Sequence, residues 1–207
     1  GCYVEALELV GVEMSVDEVM EEVLRDSEFY RESGGGVTFS GGEPLMQPLF
    51  LVELLKACRG EGLHTAVDTS GHADPAALEN IIDHTNLFLY DVKHMDPERH
   101  RRYTGATNEL ALSNLALLRG RPVVIRAPIV PGVNDDEENI GRMGEYVSGL
   151  GFTEICLLPY HRVGSEKAQR LNRETAPPFV AEPPTEESLE RLREVLTGYG
   201  LNVKIGG

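Results

Sequence analysis

A pair of glycines followed by a carboxylate is the first group of residues in this sequence that suits ligand binding. In the segment Ser40-Gly41-Gly42-Glu43-Pro44, the missing Cβ atoms of the two glycines let the backbone approach a ligand closely. The Glu43 carboxylate can accept hydrogen bonds from an ammonium group. The segment therefore indicates either a site for an amine or a tight turn between a strand and a helix.

Three charged residues, Asp68, Asp91 and Lys93, lie at the ends of short apolar runs. Together they can hold a zwitterion, or the two carboxylates can hold a monovalent cation with the lysine nearby. They can equally form an ion pair at the mouth of a barrel that binds nothing. Their types alone leave these readings open.

Arg126 and His161 are two further polar residues at the ends of apolar runs. A buried guanidinium without a partner is costly, so Arg126 must meet an anionic or carbonyl group of a ligand or a structural carboxylate. His161 can hydrogen-bond a cofactor, or its ring can be satisfied by backbone groups.

All of these residues lie at the ends of predicted strands or just after them. Apolar, β-branched runs predict strands at residues 37–40, 64–68, 87–92, 123–126, 154–158 and 201–205. Helical spacing of apolar residues predicts helices at 15–31, 49–58, 74–82, 137–150 and from 185. The alternation implies a parallel sheet, in a βα barrel or an open α/β sheet. In such folds ligands bind at the carboxyl ends of the strands, so we expect these residues to converge.

Composition limits the function classes. With 207 residues, 41% of them hydrophobic, the chain has the size and composition of a globular domain. Its 34 acidic and 19 basic residues give a net charge of -15, which repels phosphate backbones and argues against nucleic acid as a partner. No apolar run of about 18 residues could span a membrane, and no signal-peptide pattern is present. We expect a cytoplasmic protein without a membrane partner.

Five segments, in their order and spacing, resemble the activating enzymes of glycyl radical enzymes, which are radical S-adenosylmethionine (SAM) enzymes of the pyruvate formate-lyase activating type. The segments are Ser40-Gly41-Gly42-Glu43-Pro44-Leu45, Asp68-Thr69-Ser70-Gly71, Tyr90-Asp91-Val92-Lys93-His94-Met95-Asp96, Arg126 with Val130-Pro131-Gly132-Val133-Asn134-Asp135, and Leu158-Pro159-Tyr160-His161. The resemblance covers nearly the whole chain. It implies a partial parallel (βα)6-type barrel with SAM bound across the strand ends.

The resemblance also implies roles for individual residues. Gly41, Gly42 and Glu43 match the motif that holds the methionine amino group of SAM, and Arg126 and His161 match positions near its carboxylate and ribose.

The remaining matched positions surround the methionine carboxylate. Asp68, Asp91 and Lys93, with the Val92 carbonyl, match positions that line this carboxylate and a nearby monovalent cation. The resemblance therefore adds a monovalent cation to the expected ligands.

The implied reaction needs a second cofactor and two protein partners. A reduced 4Fe-4S cluster gives one electron to SAM, and the resulting 5'-deoxyadenosyl radical takes a hydrogen atom from a glycine of a partner, a glycyl radical enzyme. A flavodoxin or ferredoxin is the expected electron donor.

The sequence departs from the family in its cysteines. The Cys-x-x-x-Cys-x-x-Cys triplet is absent, because Cys2, Cys58 and Cys156 are widely spaced. We expect the triplet upstream of Gly1, so that the chain is N-terminally truncated and lacks the first strand and cluster loop. Residues 1–14 resemble the end of a ferredoxin-like insert, which makes Cys2 either an auxiliary cluster ligand or a plain residue, and residues 15–207 form the barrel.

Two alternatives remain. The chain could be a catalytically inactive SAM-binding or remnant barrel module, although such a chain has no physical reason to keep a buried charge such as Arg126. It could also be an aldolase that uses Lys93 as a Schiff-base amine. The neighbouring Asp91 argues against this, because a carboxylate favours the charged ammonium form over the nucleophilic neutral amine.

Overall fold

A computed structural model of the chain describes residues 12–160 and 182–206. Six strands form one parallel sheet in the order β1 to β6, with bounds β1 Gly36–Phe39, β2 His64–Thr69, β3 Leu87–Asp91, β4 Val123–Ile129, β5 Glu154–Pro159 and β6 Asn202–Ile205. All six predicted strands are confirmed. Within the described residues the sheet does not close between β1 and β6, as a partial barrel requires.

Eight α-helices and one 3-10 helix connect or flank the strands in the described part of the chain. They are α1 Val16–Leu24, α2 Ser27–Ser33, the 3-10 helix Pro44–Met46, α3 Pro48–Gly60, α4 Pro75–Ile82, α5 Pro97–Thr104, α6 Glu109–Leu117, α7 Glu137–Gly149 and α8 Glu186–Thr197. None of the helices described over residues 12–160 and 182–206 is long and apolar enough to cross a membrane.

Side chains at the helix starts explain where several helices begin. The Ser15 hydroxyl accepts a hydrogen bond from the Glu18 amide while the Glu18 carboxylate accepts one from the Ser15 amide, which is a complete capping box for α1. The Asp74 carboxylate caps α4 by accepting a hydrogen bond from the Ala76 amide, and proline occupies the first helical position. These local signals are why the sequence predicts the starts of both helices correctly.

The helices depart from the sequence prediction in two places. The single helix expected over residues 15–31 is divided into α1, which ends at Leu24, and α2, which begins at Ser27. Asp26 and Ser27 lie at the division, and both residue types favour helix starts over helix interiors. Helices α5 and α6 were not predicted. The first is highly charged and the second has apolar residues around most of its circumference, so neither has the one-sided apolar pattern of an amphipathic helix.

One face of the sheet is covered by the helices, and the other carries the charged residues. Val67, Phe88, Tyr90 and Ile125 are buried in the main core with side chains of α3, α4, α6, α7 and α8. Side chains alternate between faces along a strand, so Asp68, Asp91 and Arg126 lie on the opposite face. The pairing of β3 with β4 sets Asp91 directly beside Arg126.

Some predictions concern residues outside the described ranges. Cys2 and His161 both lie there, as does most of the segment 1–14 that was assigned to a ferredoxin-like insert. The division of the chain at residue 15 and the absence of a first strand stay predictions.

A tightly packed turn follows β2 and supports the site described below. Gly71 has φ +67°, and a Cβ atom added there would lie 1.5 Å from the Tyr90 hydroxyl oxygen. That hydroxyl donates a 2.6 Å hydrogen bond to the Ala111 carbonyl, and Asn114 Nδ2 donates to the Gly71 carbonyl at 2.8 Å. The turn, β3 and α6 are therefore fixed against one another.

Gly71→Ala is expected to lower the free energy of unfolding by about 2 to 4 kcal/mol, combining overpacking with a left-handed backbone conformation. Gly120→Ala is the matched control, because Gly120 has φ +74° with no atom within 4 Å of an added Cβ and should cost only about 1 kcal/mol. Urea unfolding monitored by circular dichroism measures both. Equal losses in the two variants would contradict the tight contact with Tyr90.

Candidate active site

An ion cluster across three neighbouring strands forms the centre of the candidate site. Arg126 Nη1 lies 3.2 Å from Asp68 Oδ2, and Nη2 contacts Asp68 Oδ1. The same guanidinium meets Asp91 Oδ1 through Nε at 3.0 Å and Nη2 at 2.7 Å. The Arg126 side chain is 19% exposed, so it lies between two carboxylates in a largely desolvated position. The structure therefore brings together three of the predicted site residues.

Lys93 lies at the edge of this cluster. Its Nζ is 3.9 Å from Asp91 Oδ2, and its side chain is 38% exposed, twice the 19% of Asp91. Ser40 Oγ donates to Asp68 Oδ2 at 3.3 Å from the loop after β1. With two carboxylates and two cations the formal charges cancel, and Lys93 is the more accessible of the two cations.

Burial and charge oppose each other at this cluster. Burial raises the pKa of the Asp91 carboxyl, and the attraction of Arg126 and Lys93 offsets this only in part. Burial acts to lower the pKa of Arg126, but its hydrogen bonds and attraction to Asp68 and Asp91 raise it overall. The ionised form of Asp91 therefore depends on its two cationic neighbours.

Glu43 is held by the loop that follows β2. Its Oε1 accepts hydrogen bonds from Thr69 Oγ1 at 2.5 Å and from the Leu45 amide at 3.3 Å. Its Oε2 accepts from the Ser70 amide at 3.0 Å and the Ser70 hydroxyl at 2.7 Å. Four donors fill the usual capacity of a carboxylate. Glu43 thus ties the loop after β1 to the loop after β2.

The two glycines before Glu43 leave their backbone accessible. Gly41 has φ +135°, and a Cβ atom added at Gly41 or Gly42 would meet no atom within 4 Å. The space beside this loop is therefore open to a ligand, and backbone groups can enter hydrogen bonds there.

Metal-binding groups are sparse in the described part of the chain. Between residues 12–160 and 182–206 no three His, Cys, Asp or Glu side chains are grouped to hold a metal ion. Cys58 is buried with Met20 under α1, and Cys156 is buried in β5 beside Arg126. Neither cysteine approaches the other as a cluster site would require.

Sequence reasoning missed the residues that fix the loops. Thr69 and Ser70 stand in the segment that supplied Asp68, but nothing in their spacing indicated that both would bind Glu43. Asn134 likewise belongs to the segment after Arg126, and its contacts with the loop after β3 leave no periodic signal. Small polar residues beside strand ends are the only hint that the sequence offers.

Comparisons with known proteins show the family to which the chain belongs. The radical SAM superfamily profile matches residues 1–143. The trans-4-hydroxy-L-proline dehydratase activating enzyme of Clostridioides difficile is 38% identical over 98% of this chain and 68% of its own length. The (2S)-3-sulfopropanediol dehydratase activating enzyme of Klebsiella oxytoca is 42% identical over 79% of this chain and 53% of its own length.

A solved structure gives the same result for the fold. A domain of a pyruvate-formate lyase-activating enzyme from Bacteroides vulgatus ATCC 8482 superposes with a TM-score of 0.71 at 37% identity, over 84% of this chain and 99% of that domain. The chain spans between about half and two thirds of the length of the curated relatives named above. It belongs to the radical SAM superfamily and, within it, to the activating enzymes of glycyl radical enzymes.

Proposed function

We propose that this chain is the SAM-binding part of an activating enzyme that generates a glycyl radical on a partner enzyme. The observation that carries the proposal is the convergence of an open glycine loop and a zwitterionic cluster at the carboxyl ends of β1 to β4. This is the edge of a parallel α/β sheet where ligands bind. Membership in the activating-enzyme family supplies the reaction.

The described residues fit the polar end of SAM, which carries an ammonium and a carboxylate. The backbone at Gly41 and Gly42 is open toward the ammonium group. Lys93 is exposed enough to meet the carboxylate, and the more buried Arg126 contacts the same aspartate, Asp91. Glu43 would act mainly by holding the glycine loop, because its carboxylate already accepts four hydrogen bonds. His161 stays in the proposal as a residue near the ribose.

The monovalent cation belongs to the proposal as well. Its proposed ligands are Asp68, Asp91 and the Val92 carbonyl. The guanidinium of Arg126 contacts both carboxylates, so a cation could bind between them only after Arg126 turns away. A carboxylate of a bound ligand would offer Arg126 another partner.

The 4Fe-4S cluster does not fit the described residues. Cys58 and Cys156 are both buried and belong to separate parts of the fold. We therefore propose that its ligands lie outside these 207 residues. The curated relatives, which are longer than this chain, are consistent with this.

The chain's own residues bind and orient the substrate of the reaction. When bound, SAM and a cluster held by residues outside this chain would supply the one-electron chemistry for removing a hydrogen atom from a glycine. The strand-end residues hold the methionine group at two points, which limits its movement. A flavodoxin or ferredoxin as electron donor, and a cytoplasmic location, complete the proposal.

Lys93→Met in the complete activating enzyme should weaken SAM binding about tenfold, equivalent to about 1.4 kcal/mol, through loss of a cation beside the carboxylate. Lys204→Met is the matched control, because Lys204 lies on β6 and pairs with Glu154 at 3.3 Å, near the amino end of β5. Isothermal titration calorimetry with SAM under anaerobic conditions measures both. A Lys93 variant that binds SAM as tightly as the control would refute this role.

The 207-residue chain by itself should hold no 4Fe-4S cluster after anaerobic reconstitution with iron and sulfide, because it lacks three neighbouring thiolates. Visible absorbance and electron paramagnetic resonance after reduction test this. A Cys2→Ser variant is the control for iron retained through an auxiliary site. A stable cluster in the unaltered chain would show that its cysteines come together in a way we do not propose.

A further inference from the structure

The segment Lys93–Asp96, which follows β3, is largely buried although it belongs to no helix or strand. His94 and Met95 are 4% and 7% exposed. Buried backbone amides and carbonyls need hydrogen-bond partners, and here no neighbouring strand supplies them all. The partners of this segment therefore show what fixes its conformation.

Side chains supply most of these partners. Three carbonyls accept hydrogen bonds from side chains: that of Lys93 from Asn134 Nδ2 at 2.7 Å, that of His94 from Asn108 Nδ2 at 2.9 Å, and that of Met95 from Arg142 Nη2 at 3.2 Å. Two amides donate to side chains: that of Met95 to Asn139 Oδ1 at 2.8 Å and that of Asp96 to His94 Nδ1 at 2.9 Å. Four of the five partner side chains come from α6, α7 and the loops beside them. The segment is thus held from outside rather than by its own backbone.

Asn134 joins this segment to the end of β4. Its amide group donates to the Lys93 carbonyl at 2.7 Å and to the Pro128 carbonyl at 2.6 Å. Its Oδ1 accepts from the Val130 amide at 2.8 Å. The residue is 3% exposed, and both amide hydrogens are used, so little freedom remains for the side chain.

The two chain segments that Asn134 joins carry the two cations of the site. Lys93 supplies one of the bonded carbonyls, and Pro128 lies two residues after Arg126 on the same strand. The Val92 amide also donates to the Arg126 carbonyl at 2.8 Å, which is the last backbone contact between β4 and the chain that follows β3. The hydrogen bonds of Asn134 join the same two parts of the chain just beyond this contact. Asn139 extends the link, since its Nδ2 donates to the Asn134 carbonyl at 2.9 Å.

We propose that Asn134 is a positioning residue that fixes the main chain of Lys93, and through it the distance between the Lys93 ammonium and Arg126, for binding the carboxylate of SAM. The proposal rests on the proposed function, because it needs Lys93 to meet that carboxylate. Without Asn134 the Lys93 carbonyl would lose its buried donor and the backbone would shift toward another one.

The test is a double-mutant cycle in the complete enzyme with its cluster. Asn134→Ala should raise the dissociation constant of SAM about tenfold in the parent enzyme and leave it nearly unchanged in the Lys93→Met background, since it acts through Lys93. Calorimetric titration with SAM measures all four corners. Equal effects of Asn134→Ala in the two backgrounds would overturn the proposal and leave Asn134 a purely structural residue.

Asn114→Ala is the matched control. Asn114 is also fully buried, and its amide also donates to two carbonyls, those of Gly71 and Ala73, both at 2.8 Å. Its effect on SAM binding should be independent of Lys93→Met. Coupling of the same size for Asn114 and Asn134 would mean general loosening of the fold and would also overturn the proposal.

Two further outcomes separate this proposal from the proposed function. If Lys93→Met alone leaves SAM binding unchanged, the assigned role of Lys93 fails and the proposal for Asn134 fails with it. If Lys93→Met weakens binding and the cycle is additive, only Asn134 is wrongly assigned. Should Asn134→Ala not fold, Asn139→Ala removes the neighbouring link, and we expect the same dependence on Lys93 with a smaller effect.

Discussion

The guanidinium of Arg126, set between two carboxylates from neighbouring strands, is the contact on which the candidate site depends. Each charge would be costly in this half-buried position without its partners. Asp68 and Asp91 reach Arg126 only while β2, β3 and β4 keep their pairing, because a slip of one residue would turn a side chain to the opposite face of the sheet. The register of the sheet therefore brings the three charges together, and their contacts in turn stabilise that register. Asp91, fixed in this way, is the neighbour of the more exposed Lys93.

Loops after parallel strands lack the backbone pairing that fixes the strands, and here buried polar side chains replace it. Glu43 binds the loop after β2 from the loop after β1. Asn114 holds the turn after β2 from α6, and Asn134 joins the segment after β3 to the end of β4. Glu43 and Asn134 thus each connect the ends of two adjacent strands, β1 with β2 and β3 with β4, while Asn114 connects the turn after β2 to a helix. One carboxylate and two amides, with hydrogen bonds made within the chain, therefore hold the loops at this edge of the sheet.

The sheet could be predicted from sequence because its strands are short apolar runs bounded by polar residues, such as residues 87–92 before Lys93. The positions of Asp68, Asp91 and Arg126 at one edge followed from the rule for parallel strands. Helices α5 and α6 were not predicted because α5 is highly charged and α6 is apolar around most of its circumference, so neither has a regular apolar stripe. The spacing of apolar residues indicates which face of a helix or strand is buried, and in these two helices that spacing is not regular.

The partners of polar residues could not be predicted, and this changes how the site is interpreted. A motif gives the type of a residue but not the direction of its side chain, so Glu43 could be expected to bind an amine although its oxygens accept bonds from Thr69 and Ser70. Arg126 could likewise be expected to bind an anionic ligand, although its guanidinium is already paired with two aspartates. An incoming anion can recruit Lys93 without breaking a short buried contact, whereas recruiting Arg126 must first weaken one. In the function we propose, the more exposed Lys93 is therefore the cation that first meets a ligand, and the buried Arg126 holds Asp91, the carboxylate beside Lys93.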